Sequence, residues 1–396
     1  MQAALDRRHL LQRSAALAGL GALGLSGCAT LGQATRTAAA PLQLAPVRAS
    51  VDRLFDMTVC LRPFRAAGPR LDAEQVGNKL VVHNYGHGGS GWSLSWGSGT
   101  IAVRKAMSVG PRAIAVLGCG ALGITAAILA QAAGADVTIY ARDLLPDTRS
   151  ARATGSWTPD SRIALESAVG PDFPALWEEM ARISFHTYRR YLGLPGNPVE
   201  WTDRYYLSDD PPDDPAAHPA PPDPLGFASY VHRIRDITPR PQLLPPGSTT
   251  LPARYVRQTS LMMFNIADYG HTLLSDFRAA GGRIVRAEFN ALGDISRLKE
   301  KVVINCTGYG ARALCKDESI VPVRGQIGWL IPQPEVNYGL FYNGISVLSR
   351  RDGIVVQDVH GGDMMGYNDA NETVDRAESE AAVKTIAELY TRPRTV

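Results

Sequence analysis

Hydrophobic and polar positions along the chain change their period several times, and each change marks an element. The first is an apolar run, Ala15 to Leu25, behind Arg7-Arg8. Met57 to Leu61 and Lys79 to His83 are short strand-like runs, and the second leads into a glycine-rich stretch. Residues 98–110 read as a short connector with helical character. Ala113 to Leu117 is continuously apolar, the mark of a parallel strand covered on both faces. A glycine turn, an alanine-rich helix over about Ala121 to Ala133 and a strand from Asp136 to Tyr140 complete a βαβ opening. Residues 171–195 read as an aromatic-rich helix, and helical spacing returns from Ile266 to Ala279. Val302 to Asn305 is another buried strand. Ile345 to Leu348 and Ile354 to Gln357 flank SRRDG as a hairpin. The tail from about Thr373 to Tyr390 reads as an exposed helix, with acidic residues near its start that favour the helix dipole.

The N-terminal run is too short to span a bilayer, which takes roughly 20 apolar residues. With the twin arginines before it and Leu25-Ser26-Gly27-Cys28 at its end, residues 1–28 read as a twin-arginine export signal closed by a lipobox. Cys28 is then the lipid anchor, and the expected location is the extracytoplasmic, periplasmic face of a membrane. Residues 29–50, rich in Ala, Thr and Pro, read as a tether. Gly19, Gly21 and Gly24 match GxGxxG in form, but no strand precedes them and they lie within the apolar run, so they are set aside. Residues 209–225, DDPPDDPAAHPAPPDPL, read as a solvated insertion.

The rest of the 396 residues suffices for two lobes of a globular enzyme. A net charge of +3, with no basic cluster interleaved with aromatics, argues against nucleic acid as a partner. The five cysteines form no CxxC pair; apart from Cys28 they read as free thiols, with no zinc site or other metal site.

Gly118, Gly120 and Gly123 stand between a strand and a helix, where glycine permits a tight turn and a helix N-terminus receives a pyrophosphate. The ribose-binding acid is expected about 20 residues further on. Position 142 is instead arginine, with Asp143 next, so either Asp143 takes the role or the ribose hydroxyls bind otherwise; the arginine also keeps an NADP reading open, since it could meet a 2′-phosphate. The earlier stretch NYGHGGSGWSLSWG exposes backbone N–H groups at Gly86, Gly88, Gly89 and Gly91.

Taken together, CLRPFRAAGPRL, NYGHGGSGWSLSWG, YARDLLPDTRSARATGSWTP, YVRQTSLMMFN, VVINCTGYGARAL and VPVRGQ resemble the D-amino-acid oxidase family over roughly residues 46–390. The order differs: in that family the RPFR and NYGHGG motifs come last, so the chain reads as circularly permuted. The resemblance implies an α/β (α+β) two-lobe flavoprotein, a Rossmann-like FAD-binding lobe plus an antiparallel-sheet substrate lobe. Residues 111–160 and 270–325 would form the FAD lobe, 161–269 and 326–396 mainly the substrate lobe, and 51–110 the permuted segment.

The same resemblance implies site residues. FAD would lie against Gly118, Gly120, Gly123, Asp143, Thr148, Arg149, Ser150, Thr154, Gly155, Ser156, Cys306, Thr307 and Gly308, and against Gly86, Gly88, Gly89, Ser90, Gly91, Trp92 and Ser93. Arg62 would clamp the substrate carboxylate, Gly89 would offer its carbonyl to the amine, and Tyr342 matches an active-site tyrosine. Ser346 falls where the family has a second tyrosine, a shorter hydroxyl for the same carboxylate. His87 belongs to the cofactor loop rather than acting as a base, because hydride passes directly from substrate Cα to flavin N5. The implied reaction turns a D-amino acid into a 2-oxo acid and ammonia, with O2 reduced to H2O2. Two other readings stand beside it: a dehydrogenase feeding a membrane quinone or other carrier, and an inactive flavin- or ligand-binding lipoprotein.

Overall fold

The computed structural model describes residues 40–216 and 218–392; the export signal and the first part of the tether lie outside them. In chain order the elements are β1 (Leu54–Arg65), β2 (Ala73–Val76), β3 (Lys79–His83), α1 (Gly91–Met107), β4 (Ala113–Leu117), α2 (Ala121–Ala132) and β5 (Asp136–Ala141). There follow α3 (Phe173–Tyr188), β6 (Val199–Ser208), β7 (Gln242–Leu243), β8 (Tyr255–Phe264), α4 (Ile266–Ala279), β9 (Arg283–Arg286), β10 (Val302–Asn305) and α5 (Ala311–Leu314). The last are β11 (Ile320–Leu330), β12 (Tyr338–Tyr342), β13 (Ile345–Arg350), β14 (Gly353–Asp358) and α6 (Arg376–Thr391).

Two sheets result. The smaller runs β2-β3-β10-β4-β5-β9 and is parallel from β3 to β9, with β2 antiparallel on its edge. Its central strands are buried on both faces, as their unbroken apolar sequences require. The larger runs β1-β11-β14-β13-β12-β6-β8-β7. It is antiparallel except where β12 lies parallel to β6, a departure from the wholly antiparallel lobe expected. The region 51–110 divides between them: β1 pairs with β11 in the large sheet, whereas β3 joins β10 in the small one.

Three expectations need correction. The supposed connector is the end of α1, which begins at Gly91 and buries Trp92, Leu94, Trp96, Ile101, Ala102 and Val103. Burial runs around most of the helix, Ser93, Ser95 and Ser98 included, because the small sheet, α2 and α3 surround it, so no amphipathic period was visible. The tail helix α6 is not free: Ala382, Val383, Ile386 and Leu389 form a buried stripe against the large sheet. Its start is capped by Asp375, which accepts from the amides of Ala377 and Glu378. Residues 41–50 are docked rather than tethering, because Val47 and Ala49 are buried in the same cluster and the Arg48 amide donates to Gln333 Oε1 at 2.7 Å.

Candidate active site

Strand register builds the site. His83, Asn305 and Leu117 stand level at the carboxyl ends of β3, β10 and β4. The three loops that follow therefore leave the sheet together. Backbone bonds hold them: Asn84 N donates to Asn305 O at 2.8 Å, Cys306 N to Leu117 O at 2.9 Å, and Gly118 N to Tyr140 O at 2.8 Å. The NYGHGG loop, through His87, Gly88 and Gly89, and the Gly118 turn that follows it in the chain line one cavity of about 730 Å3.

One end of that cavity is the nucleotide-like cradle. Gly118 has φ +95°, and a Cβ there would sit 2.6 Å from the Cys306 carbonyl oxygen, so only glycine lets the turn pass beneath the β10 loop. Gly120 lines the wall with it, while Gly123 stands behind the turn. Ser150 Oγ accepts from the first α2 amide, Ala121 N, at 3.1 Å. Arg142 and Asp143 both reach the cavity and pair with each other at 2.9 Å. Glu288, which sequence reasoning missed because it follows a short exposed strand, takes the other side of Arg142 at 3.3 Å. The arginine is thus neutralised by two acids, a poor partner for a 2′-phosphate.

The middle is lined by Thr148, Arg149, Ser150, Thr154, Gly155 and Ser156 from the β5 side, by Gly88, Gly89, Gly91, Trp92 and Ser93, and by Cys306, Thr307 and Gly308. Two expected members stand back from it. Gly86 packs on the Arg65 side chain, and Ser90 turns its hydroxyl to the carbonyls of Thr158 and Ser161 at 3.1 and 3.0 Å.

The far end carries arginines. Arg62, on β1, lies against Gly325 of β11, where a Cβ would come within 2.2 Å of its guanidinium nitrogens. Its Nη1 donates to the Arg324 carbonyl at 3.0 Å. Asp363, the acid that acts on it through space, is engaged by Arg162 at 3.3 Å. Arg162 itself is held at φ +50° and donates to the carbonyls of Gly362 and Asp363. Burial, and Arg62 nearby, lower its pKa to about 10. His87 lines the wall with neither ring nitrogen partnered among the described residues, and burial pushes its pKa down to about 3. It is a neutral wall, in keeping with a loop residue rather than a base.

Ser346 is at the cavity, with its hydroxyl bonded to the buried Arg204 of β6. Tyr342 is not. Strand alternation sends it with Leu340 toward the α6 side, where its hydroxyl accepts from Arg392 Nη1 at 3.0 Å. Its assignment to the active site is therefore corrected.

Residues 113–395 match the family described as FAD dependent oxidoreductase. This chain belongs to that family. FAD is accordingly its cofactor, and the cavity fits it. Thr148 Oγ1 and Arg149 Nε are buried on the cavity wall without a partner among the described residues, and the glycine cradle is barred to any Cβ. The N-termini of α1 and α2 both open onto the cavity and favour anionic groups.

Among individual relatives, the D-amino-acid oxidase of Rubrobacter xylanophilus is 30% identical over 212 residues, covering 54% of this chain and 57% of that one. That of Dictyostelium discoideum is 30% identical over 220 residues, 54% and 55%. The chain thus spans little more than half the length of these relatives. Among solved structures, an L-amino acid deaminase from Proteus vulgaris lacking its specific insertion gives a TM-score of 0.47 at 14% identity, over 71% of this chain and 75% of that one.

Proposed function

We propose that this flavoprotein oxidises a D-amino acid to the imino acid, which water converts to a 2-oxo acid and ammonia, with dioxygen reduced to hydrogen peroxide. Arg62 carries the reading. A part-buried guanidinium without an acid of its own among the described residues, fixed against Gly325 at the end of an FAD cavity, offers two parallel N–H donors to an α-carboxylate. FAD supplies the two-electron acceptor. The chain's residues orient the substrate: Arg62 holds the carboxylate, and the Gly89 carbonyl receives the ammonium group. His87 stays neutral and takes no proton, so the protein's share is positioning and exclusion of water. The relatives named D-amino-acid oxidases favour the D enantiomer.

The test is anaerobic addition of D- and L-amino acids to the holoenzyme while flavin absorbance is followed. Bleaching by D enantiomers alone supports the proposal, and bleaching by L enantiomers alone refutes it. Readmitting air then separates an oxidase, which regains colour and forms peroxide, from a dehydrogenase that needs another acceptor.

We also propose that the chain order is a circular permutation of the family's. Tyr338 Oη donates to the Ala45 carbonyl at 2.7 Å and lies 3.1 Å from Tyr390 Oη, so the two ends of the folded body meet. A rearranged gene that joins residue 392 to residue 44 and opens the chain between 108 and 112 should still bind FAD. Export and lipidation at Cys28 rest on the motifs of residues 7–28; Cys28→Ala should abolish acyl labelling and release the protein from membranes.

A further inference from the structure

Asp203 and Arg204 look in sequence like a self-neutralising pair. Strand alternation separates them. Asp203 accepts from Ser260 Oγ at 2.6 Å, while Arg204 turns to the cavity, where it is 8% exposed. There it crosses β12 at Gly339, where a Cβ would stand 3.7 Å from Arg204 Cγ, and reaches Ser346 of β13 and, at 3.3 Å, Ser156 Oγ. Hydroxyls are its only side-chain partners among the described residues, and its Nε has none. A buried cation held by neutral groups is costly to keep, and a carboxylate arriving opposite it repays that cost.

We propose that Arg204 is a specificity residue that binds a second carboxylate, making the substrates acidic D-amino acids of aspartate or glutamate size. The inference rests on the D-amino-acid reading of the same site. Arg62 lies over β11 and the Arg204 guanidinium ends at β13, with β14 between them. Two strand spacings, with an offset of about two residues along the strands, make roughly 12 Å, a gap that a dicarboxylic amino acid bridges with one carboxylate at each arginine. A neutral or apolar side chain would instead leave Arg204 buried and unpaired. Ser346 then has a role other than the one its alignment implied: it orients Arg204.

Two measurements test this. In the first, the holoenzyme is titrated with succinate and with butyrate while the flavin spectrum is followed. Succinate is expected to bind at least tenfold more tightly, and equal binding overturns the proposal. In the second, kcat/KM for D-aspartate, D-glutamate, D-asparagine and D-alanine is compared between wild type and Arg204→Met. The wild type should prefer D-aspartate to D-asparagine, and the substitution should lower that ratio about a hundredfold. A wild type that oxidises only neutral D-amino acids refutes the acidic subsite and leaves the oxidase reading standing. Succinate binding that needs Arg204, with no D-amino acid bleaching the flavin, does the reverse. If Arg204→Met loses FAD in a fluorescence titration, the arginine holds the flavin and the proposal fails.

Discussion

The Asn305 carboxamide donates to His83 Nδ1 at 3.2 Å, tying the last residues of two neighbouring parallel strands. The same side chain accepts from Thr307 N at 3.2 Å and from Thr307 Oγ1 at 2.7 Å. One buried amide therefore pins the Cys306–Gly308 turn to the strand that feeds the NYGHGG loop.

Asn305→Ala should accordingly cost about 2–3 kcal/mol, since it leaves several buried polar groups unpaired. A lowered melting temperature, together with weaker FAD binding by fluorescence titration, is the expected pair of results. Loss of stability with unchanged FAD affinity would show that the turn holds its shape without this amide.

Arg62→Lys keeps the charge but not the planar pair of donors. It should lower kcat/KM by about a hundredfold or more while FAD stays bound. Gly325→Ala reaches the same end from the opposite strand, because its Cβ would displace the Arg62 guanidinium. Steady-state kinetics with flavin content measured in parallel check both; normal kinetics for both variants would take the substrate carboxylate away from Arg62.

His87 sets a pH dependence of stability. Its folded pKa lies at about 3, depressed by burial, whereas in the unfolded chain a histidine titrates near 6.5. Between these values only the unfolded state takes up the proton. Stability therefore falls as pH drops below about 6.5, by about 1.4 kcal/mol per unit for this one group, until the folded histidine also protonates. Denaturation of the holoenzyme at pH 7 and pH 5 should show a difference about 2 kcal/mol smaller in His87→Gln than in wild type.

Arg142 is more than half exposed and shared between Asp143 and Glu288. Its removal in Arg142→Ala should change stability by less than about 1 kcal/mol, in line with exposed ion pairs. FAD affinity should change less than tenfold, and titration with NADPH should show no binding. A large loss of FAD affinity would place ribose recognition on the arginine itself.

Much of this molecule was legible in one dimension. The βαβ opening follows from a short continuous apolar run, a glycine turn and an alanine-rich helix, signals that depend only on neighbours in the chain. So does the β13–β14 hairpin, because it is made by residues a few positions apart. What the sequence could not display was anything set by partners far away. Helix α1 is buried nearly all round, serines as well as apolar residues, so its periodicity is silent. Tyr342 and Ser346 are four residues apart, yet the turn between β12 and β13 leaves one facing α6 and the other the cavity. Arg204 sits beside an aspartate in the chain and is parted from it by strand alternation. Its opening onto the cavity depends on Gly339 and Ser346, which pairing across the sheet brings beside it. Local propensity decides which elements form; which faces of them meet is decided only when the sheets close and each buried charge is left with the neighbours the fold provides.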